Sequence, residues 1–241
     1  MPLECRQRAT AAKQPLRAVE SGDRVAEFTL YIGNKNYSSW SLRAWLVLRQ
    51  AGVAFEEILI PLRQPDTHEK ILRHSPSGRV PCLLHGDIVV WDSLAIGEYV
   101  ADLYPQAQLW PADPTARAVA RGVAAEMHAG FAALRQNMPM NLRGAFPGKG
   151  LSPAVREDIN RITALWRDCR RRFAGHKPML FGDFSIADAM YAPVVARFAT
   201  YAVVLDEDAR DYVRLILDLP AMQEWVDAAK QEPWTIPELE D

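Results

Sequence analysis

Three short stretches in the first half of the chain concentrate the side chains that can do chemistry. Tyr37-Ser38-Ser39-Trp40-Ser41-Leu42-Arg43 packs four hydroxyls into five positions. Hydroxyls placed before a helix either cap it or hold a hydrogen-bond donor out to a ligand. Gly78-Arg79-Val80-Pro81 sets a cation beside an X-Pro bond, and Trp91-Asp92-Ser93 stands at a further helix start, where free N–H groups attract anions. Cys5, Cys82 and Cys169 are isolated thiols without CxxC or metal-ligand spacing, so neither a disulfide framework nor a metal site is expected. Cys82 reads as a small buried strand residue before it reads as a redox thiol. The five histidines show no spacing of the HExxH kind.

These motifs need elements to hold them. Glu27–Ile32 predicts a strand, Ser41–Ala51 a helix capped by Ser41 and stopped by Gly52, and Ala54–Ile60 a second strand. Asp66, with Glu69 three residues on, predicts a capping box for a short helix. Cys82–His85 and Ile88–Trp91 flank Gly86-Asp87, a hairpin signal, and Ser93–Leu103 closes the unit as a helix. The order is βαβαββα, an α/β domain whose opening parallel βαβ unit must be covered by helices. Beyond Pro105 the periodicity is helical throughout. Pro114–Asn137 predicts one long helix, Pro153–Phe173 another, and shorter helices follow to about Gln231. The expected organisation is a flexible tail over residues 1–25, an α/β domain over 26–105, a linker over 106–112 and an all-α domain over 113–241.

Composition bounds the function. Of 241 residues, 49% are hydrophobic and 24% charged, enough for a packed core. Lys and Arg total 28 against 30 acids, a net charge of -2, which argues against a nucleic-acid partner. No apolar run approaches the roughly 18 residues of a membrane span. Residues 1–25 carry five basic and three acidic residues with no apolar stretch, so no secretory signal is expected, and a cytoplasmic location is.

The order and spacing of the three motifs resemble the glutathione-binding domain of cytosolic glutathione transferases. Ser185-Ile186-Ala187-Asp188, late in the second half, is similar to that family's C-terminal helix-capping motif. The resemblance spans about residues 27 to 235. The serine-rich first motif is most similar to zeta-like and related serine-type bacterial members. Some of those act as maleylacetoacetate isomerases and usually carry Cys where this chain has Trp40. The resemblance implies a thioredoxin-like first domain, an all-α second domain, glutathione as co-substrate, no metal and a homodimer. Three functions stay open. One is a transferase that directs the glutathione thiolate onto an electrophile. The others are a glutathione-dependent cis–trans isomerase and a non-catalytic glutathione-binding module.

Under that resemblance each motif acquires a role. A thiol of pKa about 8.5 must drop by about 1.5–2 units to ionise at neutral pH, which takes roughly 2–3 kcal/mol. One hydrogen bond to a charged group supplies about 1.5–3 kcal/mol, and a helix N-terminus about 0.3–1 kcal/mol more. A single hydroxyl is therefore enough. Ser38 and Ser39 both stand in place, the resemblance favours Ser38, and Tyr37 is a weaker candidate. The resemblance also implies a cis Val80-Pro81 bond, with the Val80 amide and carbonyl turned outward to pair with the ligand's backbone as a strand would. The hydroxyl and amide of Ser93 suit the γ-glutamyl carboxylate and Asp92 its ammonium, although both also suit plain capping. Arg79 is a candidate for the glycyl carboxylate or a solvated surface charge. In the second half Met127, Phe131, Leu134, Met138 and Met140 form an apolar stripe that reads as core before it reads as an electrophile pocket. Arg135 and Arg143 are candidates for an acidic substrate.

Overall fold

The computed structural model describes residues 27–240; the expected tail over residues 1–25, with Cys5, lies outside the described residues. Four strands, β1 (Phe28–Ile32), β2 (Phe55–Leu59), β3 (Cys82–His85) and β4 (Ile88–Val90), form one sheet in the order β2-β1-β3-β4. β1 and β2 are parallel, and β3 runs antiparallel to β1 and β4. A parallel pair needs a crossover, here α1 (Ser39–Gln50), followed by α2 (Thr67–Leu72) and α3 (Ser93–Leu103). The βαβαββα order is thus as the sequence reads.

The helical half comprises α4 (Pro114–Ala129), α5 (Ala132–Asn137), α6 (Pro153–Cys169), α7 (Ile186–Thr200), α8 (Glu207–Leu217) and α9 (Pro220–Gln231). Its centre is α7, buried at every residue but Ala199. It packs on α4 and α8 within its own half and on α1 across the boundary, so one core runs through both halves.

Three expectations about helix ends need correction. α1 begins two residues earlier than expected and is capped by Ser38, whose Oγ accepts from the Ser41 amide at 3.4 Å. Ser41 is instead interior and buried, its Oγ accepting the Gly33 amide at 3.0 Å. The capping box of α2 does not form. Asp66 sits at φ -102, ψ 4, off the extended conformation of an N-cap, and its carboxylate pairs with Lys70 at 2.7 Å instead. The long helix over 114–137 breaks at Gly130, which is extended, and Phe131, at φ 56. A Cβ at Gly130 would stand 2.7 Å from the Glu126 carbonyl, so glycine is required there. The left-handed turn at Phe131 buries its ring in the core, and burial of an aromatic outweighs the local backbone cost.

The chain returns to its first half at the end. The Glu232 carboxylate accepts from the Lys35 amide at 2.6 Å and the Asn36 amide at 3.2 Å. Trp225 Nε1 donates to the Lys35 carbonyl at 2.9 Å.

Candidate functional site

The sheet brings the three sequence motifs to one end. Continuing the β1–β3 register, in which Tyr31 faces Cys82, sets Gly33 opposite Val80. Continuing the β3–β4 register, in which Leu83 faces Val90, sets Pro81 opposite Asp92. The turn after β1, the entry to β3 and the exit from β4 therefore lie side by side, with the N-termini of α1 and α3 above them.

On the α1 side, Ser38 and Ser39 are 6% and 9% exposed. Ser38 Oγ donates to Ser41 Oγ at 2.7 Å. The Ser39 hydroxyl has no partner among the described residues. Tyr37 is otherwise committed: its hydroxyl accepts from Arg143 Nη2 at 3.0 Å and from the Ile236 amide at 3.2 Å, and it donates to Glu240. Tyr37 thus has no proton left for a ligand.

At the middle motif the Val80-Pro81 bond is cis, as the resemblance implies. No hydrogen bond among the described residues engages the Val80 amide or carbonyl. The Arg79 side chain is exposed and makes no ion pair among the described residues, while its amide donates to Ser77 Oγ at 3.2 Å. Cys82 is fully buried; burial pushes its thiol pKa up, against a counteracting hydrogen bond from Ser75.

On the α3 side Asp92 is the N-cap, Oδ1 accepting the amides of Leu94 at 3.1 Å and Ala95 at 3.5 Å. Ser93, the first residue of the helix, does not cap. Its hydroxyl is buried, with no hydrogen-bond partner among the described residues. A buried hydroxyl left unpaired is costly, and beside a helix N-terminus it is a ready anion donor.

Around Trp40 and Arg135 the structure adds two residues to which the sequence analysis gave no role, Arg43 and His128. Trp40, directly after Ser39, is surrounded by cations: the Arg43 guanidinium lies 4.3 Å from its ring centroid and that of Arg135 5.5 Å. The His128 ring meets it edge-on at 5.2 Å. Arg43 is 1% exposed, and its Nε donates to the Met190 carbonyl in α7. Burial, then the charges of Arg197 and Arg135, lower its pKa to about 9, which still leaves it charged at neutral pH. His128 Nε2 stands 3.0 Å from Asp92 Oδ2, joining the helical half to the α3 cap. An arginine inside a helix and a lone histidine at the end of another carry no sequence signal, because their partners are distant in the chain.

The apolar stripe Met127, Phe131, Leu134, Met138 and Met140 lies in the core. Arg143 is spent on the returning C-terminal segment, donating to the carbonyls of Glu232 at 2.7 Å and Trp234 at 2.8 Å. It is therefore not available to a substrate, whereas Arg135 remains beside Trp40. Among the described residues no group of His, Cys, Asp and Glu could hold a metal ion, and no helix is long and apolar enough to cross a membrane.

In sequence and fold the chain is similar to known proteins. Residues 37–103 match the family model of the glutathione S-transferase N-terminal domain, and residues 117–228 that of the C-terminal domain. Maleylacetoacetate isomerase from Pseudomonas aeruginosa is 29% identical over 198 residues, covering 80% of this chain and 90% of that protein. A probable maleylacetoacetate isomerase from Caenorhabditis elegans is 26% identical over 167 residues, 68% of this chain and 77% of its own. Among solved structures, a glutathione transferase homologue from Burkholderia with bound glutathione superposes with a TM-score of 0.62 at 26% identity, covering 85% of this chain and 98% of that one. With both family models matched in order over more than half its length, on a mixed sheet backed by a helical half, the chain belongs to the glutathione S-transferase family.

Proposed function

We propose that the protein is a glutathione-dependent transferase that ionises the glutathione thiol at the start of α1 and directs it onto an electrophile. In this reading residues 26–105 bind glutathione, residues 113–241 shape the electrophile site, and 106–112 link them. The observation that carries it is the set of groups at one end of the sheet left without a hydrogen-bond partner among the described residues: the buried Ser93 hydroxyl and the Val80 amide and carbonyl. Ser93 and the α3 N-terminus take the γ-glutamyl carboxylate, Asp92 the ammonium, Val80 beside cis-Pro81 the peptide backbone, and Arg79 the glycyl carboxylate.

Ser38 is the thiolate donor, and Ser41 lets it act without losing a hydrogen bond. Unliganded, Ser38 donates to Ser41 across 2.7 Å. When the Ser38 O–H turns to the sulfur, the Ser41 O–H turns to Ser38 Oγ, so the contact persists with its direction reversed. The Gly33 amide keeps donating to Ser41 throughout. A chain of hydroxyls polarised in this way strengthens the terminal bond to the anion. Ser39, with its hydroxyl unpaired, is the second donor.

The names of the relatives favour one other reading, a cis–trans isomerase in which the thiolate adds and then leaves. Trp40 fills the position that Cys usually holds in such members. Stoichiometry separates the two: conjugation of an aryl halide consumes glutathione one for one, whereas isomerisation of an activated cis-alkene leaves it unchanged. Binding without either turnover would identify a non-catalytic module. We also place the protein in the cytoplasm as a homodimer, the habit of the family; the exposed Ile88, Val89 and Trp91 around β4 offer apolar surface for a partner copy, and sedimentation tests it.

A further inference from the structure

His128 belongs to the helical half and lies in the last turn of α4, yet it touches the glutathione side of the molecule. Its Nε2 stands 3.0 Å from Asp92 Oδ2. A ring nitrogen that faces a carboxylate oxygen can only donate to it. The other oxygen, Oδ1, is already held by the Leu94 and Ala95 amides. Asp92 is therefore gripped at both oxygens by two elements from different halves, although its side chain is 54% exposed. An exposed aspartate held only at its cap can still swing between rotamers; one held at both ends presents a fixed acceptor.

The imidazole has little else to do in the fold. Its Nδ1 is buried without a hydrogen-bond partner among the described residues. The ring meets Trp40 edge-on, and the Arg43 and Arg135 guanidiniums also lie against Trp40, 4.3 and 5.5 Å from its centroid. Arg135 Nη1 also reaches the His128 carbonyl at 3.5 Å. One ring nitrogen is thus left unpaired while the other is aimed at Asp92.

From this geometry we infer that His128 is a positioning residue for glutathione, orienting the Asp92 carboxylate so that a free lone pair of Oδ2 meets the ligand's α-ammonium. The inference rests on the proposed glutathione site. A carboxylate oxygen can accept more than one hydrogen bond, so His128 and the ammonium share Oδ2 rather than exclude one another. Affinity is gained because the acceptor is already in place when the ligand arrives.

The test compares two ligands by calorimetry on the full chain: glutathione, and its glutaryl analogue, the same tripeptide with hydrogen in place of the α-ammonium. The wild-type protein should prefer glutathione by at least about tenfold, the scale of one charge-assisted hydrogen bond. His128→Phe keeps a ring against Trp40 but removes the donor, and should shrink that preference to about threefold or less by weakening glutathione alone. His128→Gln, whose side-chain amide reaches the same place, should restore it. Equal weakening of both ligands would make His128 a plain clasp between the halves and overturn the inference, as would an undiminished preference in His128→Phe. Asp92→Asn separates the two layers. If it leaves the preference intact, or if glutathione fails to bind the wild type, the glutathione site itself is misassigned and the inference falls with it.

Discussion

Two helices in this molecule start with a serine and an aspartate, and the pairs have opposite fates. At α7, Asp188 is fully buried and accepts four hydrogen bonds: from the Leu180 amide at 3.1 Å, the Ser185 amide at 2.8 Å, Ser185 Oγ at 2.9 Å and the Tyr212 hydroxyl at 2.9 Å. Both members of the pair are answered from within the chain. At α3, Asp92 is half exposed and the buried Ser93 hydroxyl is answered by nothing among the described residues. Identical side-chain chemistry is satisfied within the fold in one place and left unanswered among the described residues in the other. What differs is whether the partner groups belong to the protein.

That contrast can be broken most sharply at Asp188. Asp188→Ala leaves two amides and a tyrosine hydroxyl buried without their acceptor, each costing about 1–3 kcal/mol. We expect a loss of about 3–5 kcal/mol, seen as a melting temperature lower by about 10 °C or more, with the surviving folded protein binding glutathione as before. A drop of only a degree or two would mean that the α7 start is an ordinary cap. Ser93→Ala should do the reverse. Its stability should stay within about 0.5 kcal/mol of wild type, since no internal bond is lost, while glutathione binds about 10–100-fold more weakly. Destabilisation with affinity intact would erase the distinction between the two helix starts.

The third prediction carries the contrast to α1, where satisfied and unsatisfied hydroxyls are neighbours. Ser38→Ala should raise the pKa of the bound thiol by at least about one unit, read from thiolate absorbance against pH, because a donor to the charged form is removed. Ser39→Ala should shift it less. Ser41→Ala should shift it by an intermediate amount, since Ser38 then loses the hydroxyl that supports it. The reverse order of Ser38 and Ser39 would transfer the donor role, and no shift in any variant would leave the α1 amides as the stabilising groups.

The smallest effect is expected at Cys169, buried at the end of α6, where burial pushes the thiol up to about 12. At pH 8 only about one thiol in ten thousand is then ionised. In a Cys5→Ser background a thiol reagent at that pH should find no reactive site at Cys169 until the protein unfolds. Prompt labelling would show that this part of the core opens readily.

Much of this was legible in the residues. Alternating short apolar runs, the Gly86-Asp87 turn and the later helical periodicity dictate the βαβαββα unit and the all-α half, because backbone pairing and burial patterns are local. The hydroxyl run at Ser38–Ser41, the Val80-Pro81 dipeptide and Asp92-Ser93 also mark the proposed site in the sequence, since each would act through its own backbone or its neighbours. Tertiary structure decided what depends on distant partners. Ser38, rather than Ser41, caps α1, and the Gly33 amide claims Ser41. Tyr37 is spent on Glu240, Arg143 on the carbonyls of Glu232 and Trp234, and His128 is brought to Asp92 across the boundary between the halves. Gly130 and Phe131 break a helix whose periodicity continues through them, because the core takes the ring of Phe131. Local propensity and pattern settle what each segment is. Which polar group is answered and which is left open is a property of packing, since a hydrogen bond forms between whatever groups the completed fold brings within about 3 Å.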